Sequence, residues 1–304
     1  MSEPVLRPAT PDDDDAIAAC IGEAFPSNPK ARVDVLRWQY RDNPFGETVG
    51  WVYEDDGRVV AHYSAYPMPY LLDGERTVAG NAVDAAIAPS HQGRRLFSPL
   101  ARALYDDCSH HGMRIAVCYA RNPIAMRGVA KAGVQWMPGL RVLVLPRRPG
   151  AGRGEEVADV PDGIDELWAR TVARDGIRNG VQRGEAWWRW RYAASPLGPY
   201  RYFTAPGAAA VVVRHGRVGY VLELLADDER AARRVLRTAA QDVLALVTVA
   251  VDAGPLHRLA RGAGMFTVPR RLQPRSAYYG VVDTSGAPLG DRAWHIGWGD
   301  MDHV

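Results

Sequence analysis

The sequence predicts an α+β protein of two similar units, each a mixed, largely antiparallel sheet flanked by helices. Three observations predict it. In the first half, strand-like and helix-like runs follow in the order strand, two helices, three strands joined by turn signals, helix, strand, helix, strand. A stretch rich in Pro, Gly and charge then interrupts the pattern. Beyond it, spacings recur: Trp38-x-Tyr40-x-x-x-Pro44-x-Gly46 returns as Trp190-x-Tyr192-x-x-x-Pro196-x-Gly198, and Asp56-Gly57-Arg58-Val59 is echoed by His215-Gly216-Arg217-Val218. The expected division is a first unit over 1–148, a linker over 149–163 and a second unit over 164–304.

Each element has a local reason. Val5 to Arg7 reads as a short strand, and Thr10-Pro11 before four aspartates reads as a helix start whose acids complement the helix dipole. Ile17, Cys20, Ile21 and Phe25 mark one helical face, and Asp34 to Tyr40 suggests a second helix. Trp51 to Tyr53 and Val59 to Tyr66 are strand-like and joined through Asp55-Asp56-Gly57, while Asp73-Gly74 turns the chain into Thr77 to Ala88. After a central helix, Arg114 to Tyr119 reads as a buried strand. Asn122-Pro123 starts a helix ending at Gly133, and Leu140 to Leu145 is the expected last strand of the first unit.

Bulk properties bound the function. The 304 residues are 47% hydrophobic and 24% charged with a formal net charge of +2, a globular composition that gives no reason to expect nucleic acid as the main partner. Cys20, Cys108 and Cys118 are few and lack metal-ligand spacing, so they read as buried thiols in a reducing compartment. Asp12 to Asp15 stand where an export signal needs basic and then apolar residues. The apolar run Val243 to Val251 is far short of the roughly 20 residues that span a bilayer. A cytoplasmic protein with no membrane partner is expected, as monomer or homodimer.

The chemistry is organised around residues 83–105. Val83 to Ala88 reads as a strand, Pro89 to Arg95 as a polar loop, and Leu96, Leu100 and Leu104 as the stripe of a helix. A helix start presents unpaired N–H groups and the positive end of a dipole, which suits a phosphate anion, and Gln92, Arg94 and Arg95 add donors there. This stretch resembles the pyrophosphate loop of the GNAT superfamily of acyl-CoA-dependent N-acyltransferases. Ile87-Ala88-Pro89 fits the strand end and Gln92-Gly93-Arg94 the first half of the loop; Arg95 and Phe97 stand where the pattern has small residues. A second stretch, Asn122 to Val134, resembles the superfamily's Asn-Pro-Ala segment, but Val129 replaces its usual acid tyrosine. The resemblance implies a GNAT fold in each unit and acetyl-CoA or another acyl-CoA held by Ala86, Ile87, Gln92, Gly93, Arg94, Arg95, Leu96, Phe97 and Asn122. A backbone N–H of Ile87 or Ala86 would meet the thioester carbonyl.

The second unit carries Asp227, Asp228 and Glu229 where the first has its basic loop, so it is read as a worn copy without a cofactor. For the base, Asp84 lies on the strand beside the reaction centre, Glu23 on the first helical region, and Asp300 and Asp302 in a tail anchored by Trp294 and Trp298. Asp84 serves equally well as a structural carboxylate, and no metal is expected. The leading expectation is acyl, above all acetyl, transfer to a small-molecule amine. The alternatives are a non-catalytic acyl-CoA- or partner-binding protein, and acyl transfer to a protein lysine.

Overall fold

The structure is a computed structural model describing residues 3–120, 123–147, 152–273 and 278–301. The first half carries β1 (Val5–Pro8), α1 (Asp14–Ala24), α2 (Val33–Tyr40), β2 (Val49–Asp55), β3 (Arg58–Leu72), β4 (Glu75–Ile87), α3 (Phe97–His110), β5 (Met113–Ala120), α4 (Pro123–Ala130), β6 (Gln135–Trp136) and β7 (Arg141–Pro146). There follow β8 (Glu155–Val157), α5 (Ile164–Asp175), β9 (Gly180–Val181), α6 (Glu185–Trp188), β10 (Tyr200–Ala205), β11 (Ala208–His215) and β12 (Val218–Ala226). The chain ends on α7 (Glu229–Ala239), β13 (Ala245–Ala250), α8 (Pro255–Gly262), β14 (Phe266–Thr267) and β15 (Tyr278–Asp283).

Two mixed, mostly antiparallel sheets result. The first runs β1-β2-β3-β4-β5-β15-β6, with β9 added on β3; the second runs β14-β7-β13-β12-β11-β10-β8. Read from its β8 edge, the second sheet repeats the order of the first. The Asp-Gly pairs of the first unit do what their composition dictates: Asp56, Gly57, Asp73 and Gly74 all have positive φ, the backbone of tight hairpin turns. β3 is buried along most of its length because α3 covers one face and α1, α2 and the second unit cover the other, so it reads as a continuous apolar run.

Two expectations need correction. Arg141–Pro146 does not close the first sheet; it pairs antiparallel with β13, Val247 opposite Val144. Its place between β5 and β6 is taken by β15 from the far end of the chain, Val281 opposite Val117 and Gly280 opposite Trp136. The two sheets thus exchange their closing strands, which an alternation pattern cannot reveal because it records which face is buried and not which edge is paired. Gly280 makes the insertion possible: a Cβ there would lie 2.6 Å from Val134 and 2.9 Å from both Cys118 and Trp136. The stretch read as a linker also contains a strand. Glu156 pairs with Phe203 across the β8–β10 edge, and Arg201 holds Glu156 through two bonds of 2.7 and 2.6 Å.

The repeated tryptophans meet where the units join. Trp38 and Trp190 stack at 5.2 Å, and each indole donates to the other's carbonyl, at 3.0 and 3.4 Å. This reciprocal contact is what a local two-fold relation between equivalent residues produces. One apolar core runs across the join, from α1 and α2 through Trp187, Trp188 and Trp190 to Trp294.

Candidate active site

The site begins where the first sheet splits. β4 and β5 run parallel and pair from Val78–Met113 to Ala82–Cys118, and beyond that the register ends. At the split β4 bulges: Ser64 faces Val83 and His62 faces Ala86, so Asp84 and Ala85 together face Tyr63. Asp84 has φ +59°, a left-handed turn in mid-strand. After the bulge, Ala88 donates its N–H to Val60 of β3 at 2.8 Å. Backbone directions alternate along a strand, so the N–H of Ala86 also faces β3, and that of Ile87 faces the gap left by β5.

The bulge is held by buried polar groups. Lys30 Nζ lies 3.1 Å from Asp84 Oδ1, while Tyr40 Oη and Gln39 Nε2 donate to Oδ2 at 2.6 and 2.9 Å. His62 Nδ1 lies 3.2 Å from the Asp84 carbonyl, and its Nε2 lies 2.6 Å from Ser64 Oγ. Burial pushes the His62 imidazole down to about 4, so it is neutral at pH 7 and donates from Nδ1. Lys30 and Asp84 are both almost wholly shielded from solvent.

The loop after β4 has the backbone of an anion nest. Gly93 and Arg95 take φ +81° and +61°, and the side chains of Gln92, Arg94 and Arg95 are exposed. Arg95 therefore adopts the conformation of the small residue it replaces. Gln92 Nε2 donates to the Ile87 carbonyl at 3.3 Å, tying the loop to the strand end. His91 is occupied elsewhere, 2.9 Å from Asp55. Phe97 is accommodated from α4: a Cβ on Gly128 would lie 2.3 Å from its ring.

A cavity of about 520 Å³ passes through the split. On the α3 and α4 side it is lined by Tyr63, Ala82, Phe97, Cys118, Val129 and Trp136. On the α1 side the lining includes Phe25, Ser27, Pro29, Val83, Tyr119 and Met301. Asp84 and Ala85 sit between, and among the described residues Asp84 is the carboxylate in this lining. Glu23 is elsewhere, exposed and paired with Arg58. Asn122 and Asp302 lie outside the described residues. Asp300 is buried in a different network: it accepts Arg183 Nη2 at 2.7 Å on both oxygens and the Gly297 N–H at 2.7 Å. Among the described residues the tail's contribution to the cavity is Met301, which sequence reasoning missed because a lone methionine between two acids carries no chemical signal.

The second unit repeats the bulge without the opening. Leu222 is the extra residue opposite Val211 and Val212, and beside it Glu223 accepts from Tyr192 Oη at 2.7 Å, Trp187 Nε1 at 3.1 Å and Arg183 at 2.6 Å. Tyr192 is the repeat partner of Tyr40, so a buried carboxylate, a helix tyrosine and a cation recur. Here β12 and β13 pair only from Val218 to Tyr220, and the turn Trp298–Asp300 packs against both strands. A Cβ on Gly299 would lie 2.2 Å from Tyr192 Oη and 2.6 Å from Glu223. At the neighbouring helix start, Asp228 caps α7 by accepting the Ala231 N–H at 2.6 Å, and Asp227 pairs with Arg170.

Residues 5–129 match the acetyltransferase (GNAT) domain family. The chain has the GNAT fold. It is similar to a GCN5-related N-acetyltransferase from Kribbella flavida (17% identity, TM-score 0.67, covering 96% of this chain and 74% of that one) and to another from Anabaena variabilis (13%, 0.68, 92% and 73%). It is also similar to the Saccharomyces cerevisiae N-myristoyltransferase with bound myristoyl-CoA (9%, 0.59, 93% and 85%). Among curated proteins, none matches the sequence. Among the described residues no helix is long and apolar enough to cross a membrane, and no His, Cys, Asp and Glu cluster could hold a metal.

Proposed function

We propose that the chain transfers an acyl group from acyl-CoA to the amine of a small apolar molecule, using only its first unit. The observation that carries this is the through-sheet cavity, lined on one side by Phe97, the first residue of the helix that follows the loop of Gly93 and Arg95, and on the other by Phe25, Tyr119 and Met301. A pyrophosphate on the loop N–H groups, with Arg94 and Arg95 near, would send the pantetheine arm along β4 toward the split. The Ile87 N–H, turned into the gap, is placed to donate to the thioester carbonyl as charge builds on its oxygen. Among the described residues, an acceptor entering from the α1 side meets mainly apolar and neutral side chains. The carboxylate there, among the described residues, is Asp84, which is bonded to Lys30, Gln39 and Tyr40. An acceptor carrying a second charge, such as an amino acid, would have to desolvate it without a partner.

The second unit is read as a worn copy: its carboxylates satisfy their own helix start, and its strand gap is covered by the tail. Thiol release from acetyl-CoA and longer acyl-CoAs, measured against arylalkyl amines, amino sugars, amino acids and a lysine peptide, tests the reading. Turnover with the arylalkyl amines and little with the charged acceptors is expected. CoA binding without thiol release from any of them would make the chain a non-catalytic acyl-CoA binder, and turnover confined to the peptide would make it a lysine acyltransferase.

A further inference from the structure

A thiolate leaving into this cavity meets an apolar wall, where an unpaired anion is costly. Val129, on α4 beside the split, offers it no proton. The wall on that side contains a buried hydroxyl pair instead. Tyr63 lines the cavity opposite the Asp84–Ala85 bulge, and its Oη lies 2.9 Å from Tyr105 Oη on α3. In the same core, Cys118 also lines the cavity. Burial pushes the Cys118 thiol up to about 12 and both phenols well above their ordinary value, so all three keep their protons at pH 7. If Tyr105 donates to Tyr63, the proton on Tyr63 is free to point into the cavity.

We propose that Tyr63 is the acid that protonates the departing CoA thiolate, an inference that rests on the acyl-transfer reading above. The acceptor nitrogen attacks the acyl carbon; the C–N bond forms, and the C–S bond breaks with its electron pair going to sulfur. Sulfur takes the Tyr63 hydroxyl proton, and Tyr105 donates a hydrogen bond to the phenolate left behind. The proton lost by the acceptor nitrogen returns to Tyr63 through solvent at the cavity mouth, so that thioester and amine become amide and thiol with no net charge change. Burial disfavours thiolate and phenolate alike, so the transfer is closer to balanced than their values in water suggest. Tyr119, which also lines the cavity, lies on the opposite face, packed on Tyr279 at 5.2 Å, and serves as the control.

The test compares two acyl donors in the full chain: acetyl-CoA, and the acetyl thioester of an electron-poor aromatic thiol whose thiolate leaves without a proton. Tyr63→Phe should slow transfer from acetyl-CoA by about 10²-fold, the lower range for loss of a positioned acid, with CoA affinity unchanged. It should leave transfer from the aryl thioester within a few-fold of wild type. Tyr105→Phe should show the same donor selectivity with a smaller loss, and it keeps the question answerable if Tyr63→Phe does not fold. Equal losses with both donors, wild-type rates with acetyl-CoA, or a selective loss in Tyr119→Phe instead would overturn the assignment. Wild-type protein that transfers from neither donor would sink the acyl-transfer reading itself, a result separable from active wild type with indifferent Tyr63.

Discussion

At the scale of single residues, Asp84 separates chemistry from architecture. As a general base it should, on replacement by Asn, lower turnover by roughly 10²- to 10⁴-fold and leave stability intact. Its surroundings favour a different role. The carboxylate is bonded to Lys30, Gln39 and Tyr40, and the equivalent Glu223 is bonded to Arg183, Trp187 and Tyr192 in a unit whose strand gap is covered by the tail. A device kept in both units is explained by what both units share, a bulged fourth strand. We therefore expect Asp84 to be a positioning residue that fixes the bulge and, through it, the direction of the Ile87 N–H. Asp84→Asn breaks the buried Lys30–Asp84 pair, so it should cost about 3–5 kcal/mol in denaturant unfolding, and Lys30→Met combined with Asp84→Leu should restore much of that. The acid limb of the pH dependence of kcat/KM should persist in the double variant. An Asp84→Asn protein with a wild-type unfolding midpoint and a lost acid limb would return Asp84 to the role of base.

At the scale of elements, the loop between β4 and α3 was largely legible in the sequence, and its departures from the family pattern have local explanations. Arg95 takes the positive φ of the small residue it replaces, and Phe97 finds room because α4 presents Gly128 to its ring. Gly93 has open space around a Cβ but a φ of +81°, so any side chain there strains the backbone and an acidic one also repels phosphate. Gly93→Glu should abolish calorimetric CoA binding, which should otherwise show one site per chain. A second site, or binding that survives the change, would overturn the loop assignment. The Asp-Gly hairpins and the amphipathic stripe of α3 were readable because they are local: two or three residues decide a turn, and a period of 3.6 decides a helix face. The Lys30–Asp84 pair, the Tyr63–Tyr105 pair and the place of Met301 were not, because each joins residues whose separation in sequence carries no period.

At the scale of the whole molecule, the exchange of closing strands makes the two units one folding problem. β15 supplies both neighbours of an otherwise unpaired edge, bonding β5 on one side and β6 on the other, while β7 does the same between β13 and β14. Neither sheet is complete without chain from beyond the other. The join adds the Trp38–Trp190 stack, and behind it the second unit holds the buried Arg183–Asp300 and Arg183–Glu223 pairs, whose charges are almost wholly shielded. Removing one partner of such a network costs about 3–5 kcal/mol, a large share of an ordinary domain's stability. A fragment ending at residue 148 would keep the loop of Gly93 but lose β15, Met301 and Trp190, exposing the β5 edge and the core face of β3 to solvent. The sequence places two units on either side of a Pro- and Gly-rich linker; the strand exchange predicts one cooperative unit. Calorimetric unfolding of the full chain should therefore give a single transition whose calorimetric and van't Hoff enthalpies agree, and the 1–148 fragment should be unfolded or aggregated and fail to bind CoA. Two resolved transitions, or a soluble fragment with native near-ultraviolet dichroism that binds CoA as the full chain does, would show that the exchanged strands are an embellishment on two independent domains.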